Sequence, residues 1–281
     1  MKIIDAHFHY SNIEVFYEIA AKNGVDYSRK GFIKEAEENQ VVAGVCMGLS
    51  ESRKSGFPDN DAETPMNFDL DEMPVNFYFS AGVNPYKLTK DNLIRLEETV
   101  QRPDCVGIKI YGGYYQYYFT DAIYEPVYEL ALKYDIPVSF HTGDTYSDNG
   151  LLKYSHPLTI DELACRYPSM KIVICHLGNP WLMDTAEIVY KNENVYSDLS
   201  GLLVGNDARF KFFTSKELFL NMYRTSFIFA NRYDKFLYGS DWPLSKMKTY
   251  IGLCKLIVPE EHHEKVFYDN ALNVYKKMKI S

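Results

Sequence analysis

His7 and His9 stand two residues apart at the end of Ile3-Ile-Asp-Ala-His, a run that reads as a β-strand. Side chains two apart on a strand point to the same side, so both imidazoles can face one point. Neutral imidazole nitrogen is a good ligand for a borderline divalent metal such as zinc. Three further groups close apolar runs in the same way: His141 after Pro137-Val-Ser-Phe, His176 after Lys171-Ile-Val-Ile-Cys, and Asp241 after Phe236-Leu-Tyr-Gly-Ser. The two N-terminal histidines alone would also fit ordinary satisfied side chains. Five such groups at strand ends point instead to metal-assisted acid–base chemistry.

The elements that must position them recur along the chain. Short apolar runs begin near Ile3, Val41, Phe77, Val106, Pro137, Lys171, Val195 and Phe236, and most are rich in β-branched or aromatic residues. Amphipathic segments such as 91–101, 121–134, 159–167, 181–192 and 215–232 lie between them. Strand then helix, repeated about every thirty residues, is the βα unit of a parallel sheet. Eight repeats fit a closed (β/α)₈ TIM barrel, and no GxGxxG follows the first strand to support a Rossmann sheet. The expected fold is therefore α/β, one barrel domain over residues 1–281, with the metal site at the C-terminal ends of the strands. The Asp-, Pro- and Asn-rich stretch from Glu51 to Pro74 is expected to add a helix and a loop over one rim.

Read in order, DAHFH, FHTG, ICHLGNPW, VYSDLSG and YGSDWP resemble the motif series of the amidohydrolase superfamily, more narrowly its amidohydrolase-2 branch. The closing Tyr268-Asp-Asn-Ala-Leu-Asn-Val-Tyr275 is similar to the branch's last helix, so the resemblance spans residue 4 to about 275. It implies a TIM-barrel enzyme with His7, His9, His141 and Asp241 as ligands of one divalent metal. Zinc is the expected ion, and manganese, cobalt or iron are others that mixed N/O sites accept. It further implies Asp241 and His176 as catalytic groups. A metal-bound water would attack a carbonyl, in an amide, lactone or related C–N or C–O bond, with Asp241 carrying its proton and His176 polarising the carbonyl. No organic cofactor is implied.

The branch also contains non-oxidative decarboxylases of aromatic or unsaturated carboxylic acids, which use the same metal cradle. Those enzymes often carry an acidic residue just after the glycine that follows the strand-six histidine. Asn179 occupies that place here, which favours hydrolysis. A barrel that binds metal without catalysis is the third account, and the full set of ligand types argues against it.

Lys109 closes the fourth strand near where binuclear relatives carry a bridging carboxylated lysine. One metal is expected, with Lys109 beside the substrate. Tyr111, Trp181 and Trp242 complete the expected substrate contacts with His176. The tyrosines at 111, 114, 115, 117 and 118 form either a lid or a subunit interface. Asp5 and Asp198 read as supporting groups, His156 as surface, and His262 and His263 as part of the outer shell.

The net charge of −8 leaves no basic excess to neutralise nucleic-acid phosphates. No run approaches the ~20 apolar residues of a membrane span. Five scattered cysteines without CxxC spacing argue against a disulfide framework and for reduced, mostly buried thiols. Met1 and Lys2 lead straight into the first strand, giving the expectation of a cytoplasmic enzyme acting on a small molecule. The resemblance allows a homodimer.

Overall fold

The computed structural model describes residues 1–11, 13–49 and 76–280, so the Glu51–Pro74 expectation lies outside the described residues. Eight strands follow in chain order: β1 (Ile3–Phe8), β2 (Val41–Met47), β3 (Phe77–Val83), β4 (Cys105–Tyr111), β5 (Val138–His141), β6 (Ile172–Ile174), β7 (Val195–Asp198) and β8 (Phe236–Leu237). Each starts within one residue of the apolar run that foretells it. Neighbours in sequence are neighbours in the sheet, all parallel. Beyond β8, Ala6 N donates to Tyr238 O (2.9 Å), Asp241 N to His7 O (2.8 Å) and His9 N to Trp242 O (2.6 Å), closing the sheet on β1. The molecule is a (β/α)₈ TIM barrel.

Among the described residues the surrounding α-helices are α1 (Glu14–Asn23), α2 (Arg29–Glu38), α3 (Lys90–Gln101), α4 (Glu125–Lys133), α5 (Thr159–Arg166), α6 (Leu182–Lys191), α7 (Asp207–Thr214), α8 (Glu217–Ala230), α9 (Met247–Ile257) and α10 (Asn270–Val274). Their boundaries follow local chemistry. Ser28, Thr89 and Asn206 each accept a backbone N–H of the first turn of α2, α3 and α7, satisfying a donor the helix itself cannot. None is long and apolar enough to cross a membrane.

Strand alternation sorts the side chains into two cores. Ile3, Ile108, Ile110, Val138, Phe140, Ile172 and Ile174 point outward under the helices. Ile4, Ala6, Ala43, Val45, Met47, Val106, Val173 and Leu237 fill the interior, plugged from below by Val274 and Tyr275 at the end of α10. One irregularity matters for function. Asp5 pairs with Gly44 and Phe8 with Cys46, so three steps of β1 run against two of β2. This bulge switches the strand's parity. Ile4 and Ala6 face inward below it, and above it Phe8 turns outward against Phe32 of α2, leaving His7 and His9 at the mouth.

Candidate metal centre

His7, His9 and Asp241 converge at the C-terminal mouth, all buried. Asp241 Oδ1 lies 3.1 Å from His9 Nε2 and 3.5 Å from His7 Nε2. These contacts lack hydrogen-bond geometry: His7 Nε2 and Asp241 Oδ1 are each buried without a hydrogen-bond partner. Leaving two such atoms unmet costs about 1–3 kcal/mol each, so their convergence fits a positive ion between them. Behind His7, Nδ1 lies 2.8 Å from Asp198 Oδ2. A carboxylate can only accept, so the proton sits on Nδ1 and Nε2 offers its lone pair.

His141 is in the same cavity but faces elsewhere. Its Nε2 meets the Asp144 carbonyl at 2.9 Å and its Nδ1 meets His176 Nε2 at 2.9 Å. The carbonyl is only an acceptor, so neutral His141 carries its proton on Nε2 and receives the His176 Nε2–H at Nδ1. Three of the four expected ligands therefore gather, and the fourth is paired with His176. The other side of His176 meets Ser200 Oγ at 2.8 Å. His176 reaches this position through a left-handed turn, with φ of 63° at His176 and 51° at Leu177, and Asp241 has φ of 57°. Such backbone costs of order 1–3 kcal/mol for non-glycine residues and concentrates at functional sites.

Burial sets the electrostatics. It pushes His7 down to about 3, against the pull of Asp198, and drives His141 and His176 down as well. Burial alone would raise Asp241, but His9, His176 and His7 outweigh it and hold the carboxyl well below its usual range. Asp198 behaves likewise beside His7. His7, His141 and His176 are thus held neutral and Asp241 and Asp198 ionised, the protonation state a cation requires. Asp5 has a supporting place: Oδ1 accepts His7 N (3.2 Å) and Ser240 N (2.9 Å), and burial raises its carboxyl to about 7.

Two adjoining lobes open over these groups, sharing Tyr114, His141, Tyr146, His176, Asp241 and Leu244. One, of about 410 Å³, is bordered by Asp144, Asn179, Gly201 and Arg209. The other, of about 240 Å³, is apolar, walled by Val15, Phe16, Ile19, Leu49 and Tyr111. The tyrosine-rich segment divides. Tyr111 and Tyr114 pack on His141, while Tyr115 and Tyr117 pack on Tyr86 and Tyr118 packs on Tyr154.

Three expected substrate contacts stand elsewhere. Lys109 is fully buried one layer below Tyr111, because two residues along a strand is about 6.6 Å; its Nζ meets Cys175 Sγ at 2.8 Å. Trp242, one residue past Asp241, takes the opposite parity and packs behind the strand against Phe32 and Tyr27, its Nε1 donating to Glu35 (3.3 Å). Trp181 packs on His156 at the start of α6 and lines neither lobe. His262 stacks on Tyr233, and His263 meets the Val258 carbonyl, both remote from the mouth.

Sequence reading missed Arg209, Tyr146 and Ser200. Ser200 lies within the Val195-Tyr-Ser-Asp-Leu-Ser-Gly motif, so its proximity to Asp198 was available. Arg209 and Tyr146 project from a helix and a loop with no spacing signal.

No curated protein matches the chain. Among solved structures, an uncharacterized TIM-barrel protein from Bordetella bronchiseptica superposes with a TM-score of 0.69 at 17% identity, covering 99% of each chain. A Pseudomonas putida protein, whose designation as a 2-pyrone-4,6-dicarboxylic acid hydrolase is itself provisional, gives 0.65 at 16% identity, over 99% of this chain and 98% of its own. The 5-carboxyvanillate decarboxylase of Novosphingobium aromaticivorans, solved with manganese, gives 0.63 at 13% identity, over 98% and 96%. At such identities the likeness establishes the fold. The family rests on the match of residues 4–277 to the amidohydrolase family model, and by that match the chain belongs to the amidohydrolase-2 family.

Proposed function

We propose that this protein is a metal-dependent hydrolase that attacks the carbonyl of a small amide, lactone or related substrate. The observation that carries the reading is the pair of buried, unpartnered atoms His7 Nε2 and Asp241 Oδ1, aimed at each other beneath an open cavity. His7, His9 and Asp241 would hold the ion, with His141 as a fourth donor once its Nδ1 leaves His176. The nitrogen-rich donors favour zinc; manganese, present in the Novosphingobium enzyme, is the alternative. When bound, a divalent ion polarises a carbonyl and brings the pKa of a water from about 15.7 towards 7.

The chain's own groups supply the remainder. Asp241 takes a proton from the attacking water at its carboxylate and returns it to the leaving atom. His176 borders both lobes and donates to the developing oxyanion. Ser200 and Asp198 fix the rings that do this work. Tyr111 and Phe16 wall the apolar lobe for the body of the substrate, and Arg209 offers a cation at the polar one.

Decarboxylation of a carboxylic acid is the second reading, favoured by the solved decarboxylase of the same fold. Metal-loaded protein given lactone, amide and aromatic-acid panels separates the two. Hydrolytic products without carbon dioxide are expected. Carbon dioxide release without hydrolysis replaces the first reading with the second. Turnover of neither class, with the metal in place, leaves a barrel that binds metal without catalysis.

A further inference from the structure

One layer beneath the metal centre, Lys109 and Cys175 form a pair that the proposed reaction does not use. Both are fully buried, on β4 and immediately after β6, and their side chains meet across the barrel interior with Nζ 2.8 Å from Sγ. This is shorter than the 3.2 Å of the Tyr10 N to Cys46 Sγ contact, in which an N–H meets a thiol in the ordinary way. Beyond that sulfur, Lys109 Nζ has the face of Tyr111, 5.2 Å from the ring centre, and among the described residues no carboxylate oxygen lies within the 4.0 Å of an ion pair. An interior amine with three donor sites, met by one weak sulfur acceptor and one ring face, is a costly arrangement for a lysine. Its persistence calls for a purpose beyond packing.

We propose that Lys109 and Cys175 are an oxidant-sensitive crosslinking site, at which a single oxygen atom joins Nζ to Sγ. The 2.8 Å gap is that of two atoms bonded through a third, so an Nζ–O–Sγ link fits with both strands in place. A direct N–S bond would have to draw β4 and β6 together against a close-packed interior. The oxidant is a peroxide. One peroxide oxidises the thiol to a sulfenic acid and leaves as water. A second oxidises the amine to a hydroxylamine and leaves as water. Condensation of the two releases a third water and forms the link. The pair gives up four electrons, which reduce two peroxides, and the link is reopened by thiol reductants. Tyr111 lies two residues beyond Lys109 and His176 directly after Cys175, and both line the cavity, so one layer of side chains separates the buried pair from it. Sγ also stands with His7 and Asp198 in a group whose ligand atoms lie within 4.8 Å of one another. The link therefore stiffens the floor on which the metal centre rests.

The test is the intact mass and tryptic map of the full chain, reduced with dithiothreitol or treated with hydrogen peroxide. The expected result is a gain of about 14 Da, one oxygen added and two hydrogens lost, reversed by dithiothreitol. In the map, a peptide containing Lys109 is joined to the one containing Cys175, and neither Cys175→Ser nor Lys109→Gln shows the gain. Because the measurement is made on wild-type protein, it stands even if a variant fails to fold. The exposed Cys165 reports that oxidant was sufficient. Oxidised Cys165 with unmodified Cys175 overturns the proposal. So does Cys175 carried to sulfinic acid, a gain of about 32 Da, without a link, or a loss of about 2 Da from a direct N–S bond.

Discussion

His7 Nδ1 lies 2.8 Å from Asp198 Oδ2, and this contact decides which nitrogen of His7 faces the cavity. The same carboxylate accepts His176 N at 3.0 Å and Ser200 N at 3.1 Å, so one buried acid orients both His7, the proposed ligand, and His176, the proposed catalytic histidine. Asp198→Asn keeps the shape but removes the charge that holds the His7 tautomer. Metal affinity should fall about 10–100-fold while the protein stays folded. Competition with a chromophoric chelator measures this, and unchanged affinity would show that Asp198 does not tune the ligand.

Gly201 sits where no side chain fits. Its φ is +62°, and a Cβ there would stand 2.7 Å from His176 Nδ1 and 2.8 Å from Asp241 Oδ2. Gly201→Ala should cost about 1–2 kcal/mol of stability from the left-handed backbone. Turnover should fall about 100-fold, since a misplacement of about 1 Å suffices for that loss. Thermal melting and steady-state kinetics on one preparation separate the effects. Near-normal turnover would mean that His176 and Asp241 need not hold their present spacing.

Arg209 borders the polar lobe, stacks its guanidinium over Phe213 and has no ion pair among the described residues. If it receives an anionic group of the substrate, Arg209→Gln raises KM about 10–100-fold with kcat nearly unchanged. That split is the signature of lost uniform binding. Equal kinetics for charged and uncharged substrates in both proteins would remove the anchoring role.

Trp242 makes its contacts behind the strand rather than in the cavity. Trp242→Phe loses the bond to Glu35 and some packing, worth about 1–3 kcal/mol, which lowers Tm by several degrees. KM should remain within about twofold. A large KM change with unaltered melting would return Trp242 to the substrate pocket.

The strand order, and the gathering of His7, His9, His141, His176 and Asp241 at one mouth, were legible because strand ends of a parallel barrel share one rim. A polar group closing an apolar run therefore announces its own location, as His141 and Asp241 do. Parity explains where that logic stopped. Alternation correctly places Lys109 inside the barrel, but chain distance leaves it a layer too low, and it puts Trp242 on the opposite side from Asp241. The bulge between Asp5 and Phe8, which aims His7 and His9 at the mouth, leaves no residue-type signature. Arg209 was hidden for another reason: it reaches the cavity from α7, eleven residues beyond the end of β7, and helical spacing carries no information about that lobe.

The central claim is that His7, His9 and Asp241 hold one divalent ion. Its most direct test is the metal content per chain of protein purified without chelator, measured by elemental analysis beside His7→Ala/His9→Ala. About one zinc or manganese per chain, absent from a folded double variant, is the expected result. Equal metal in both proteins, or none in the wild type even after reconstitution, would contradict it.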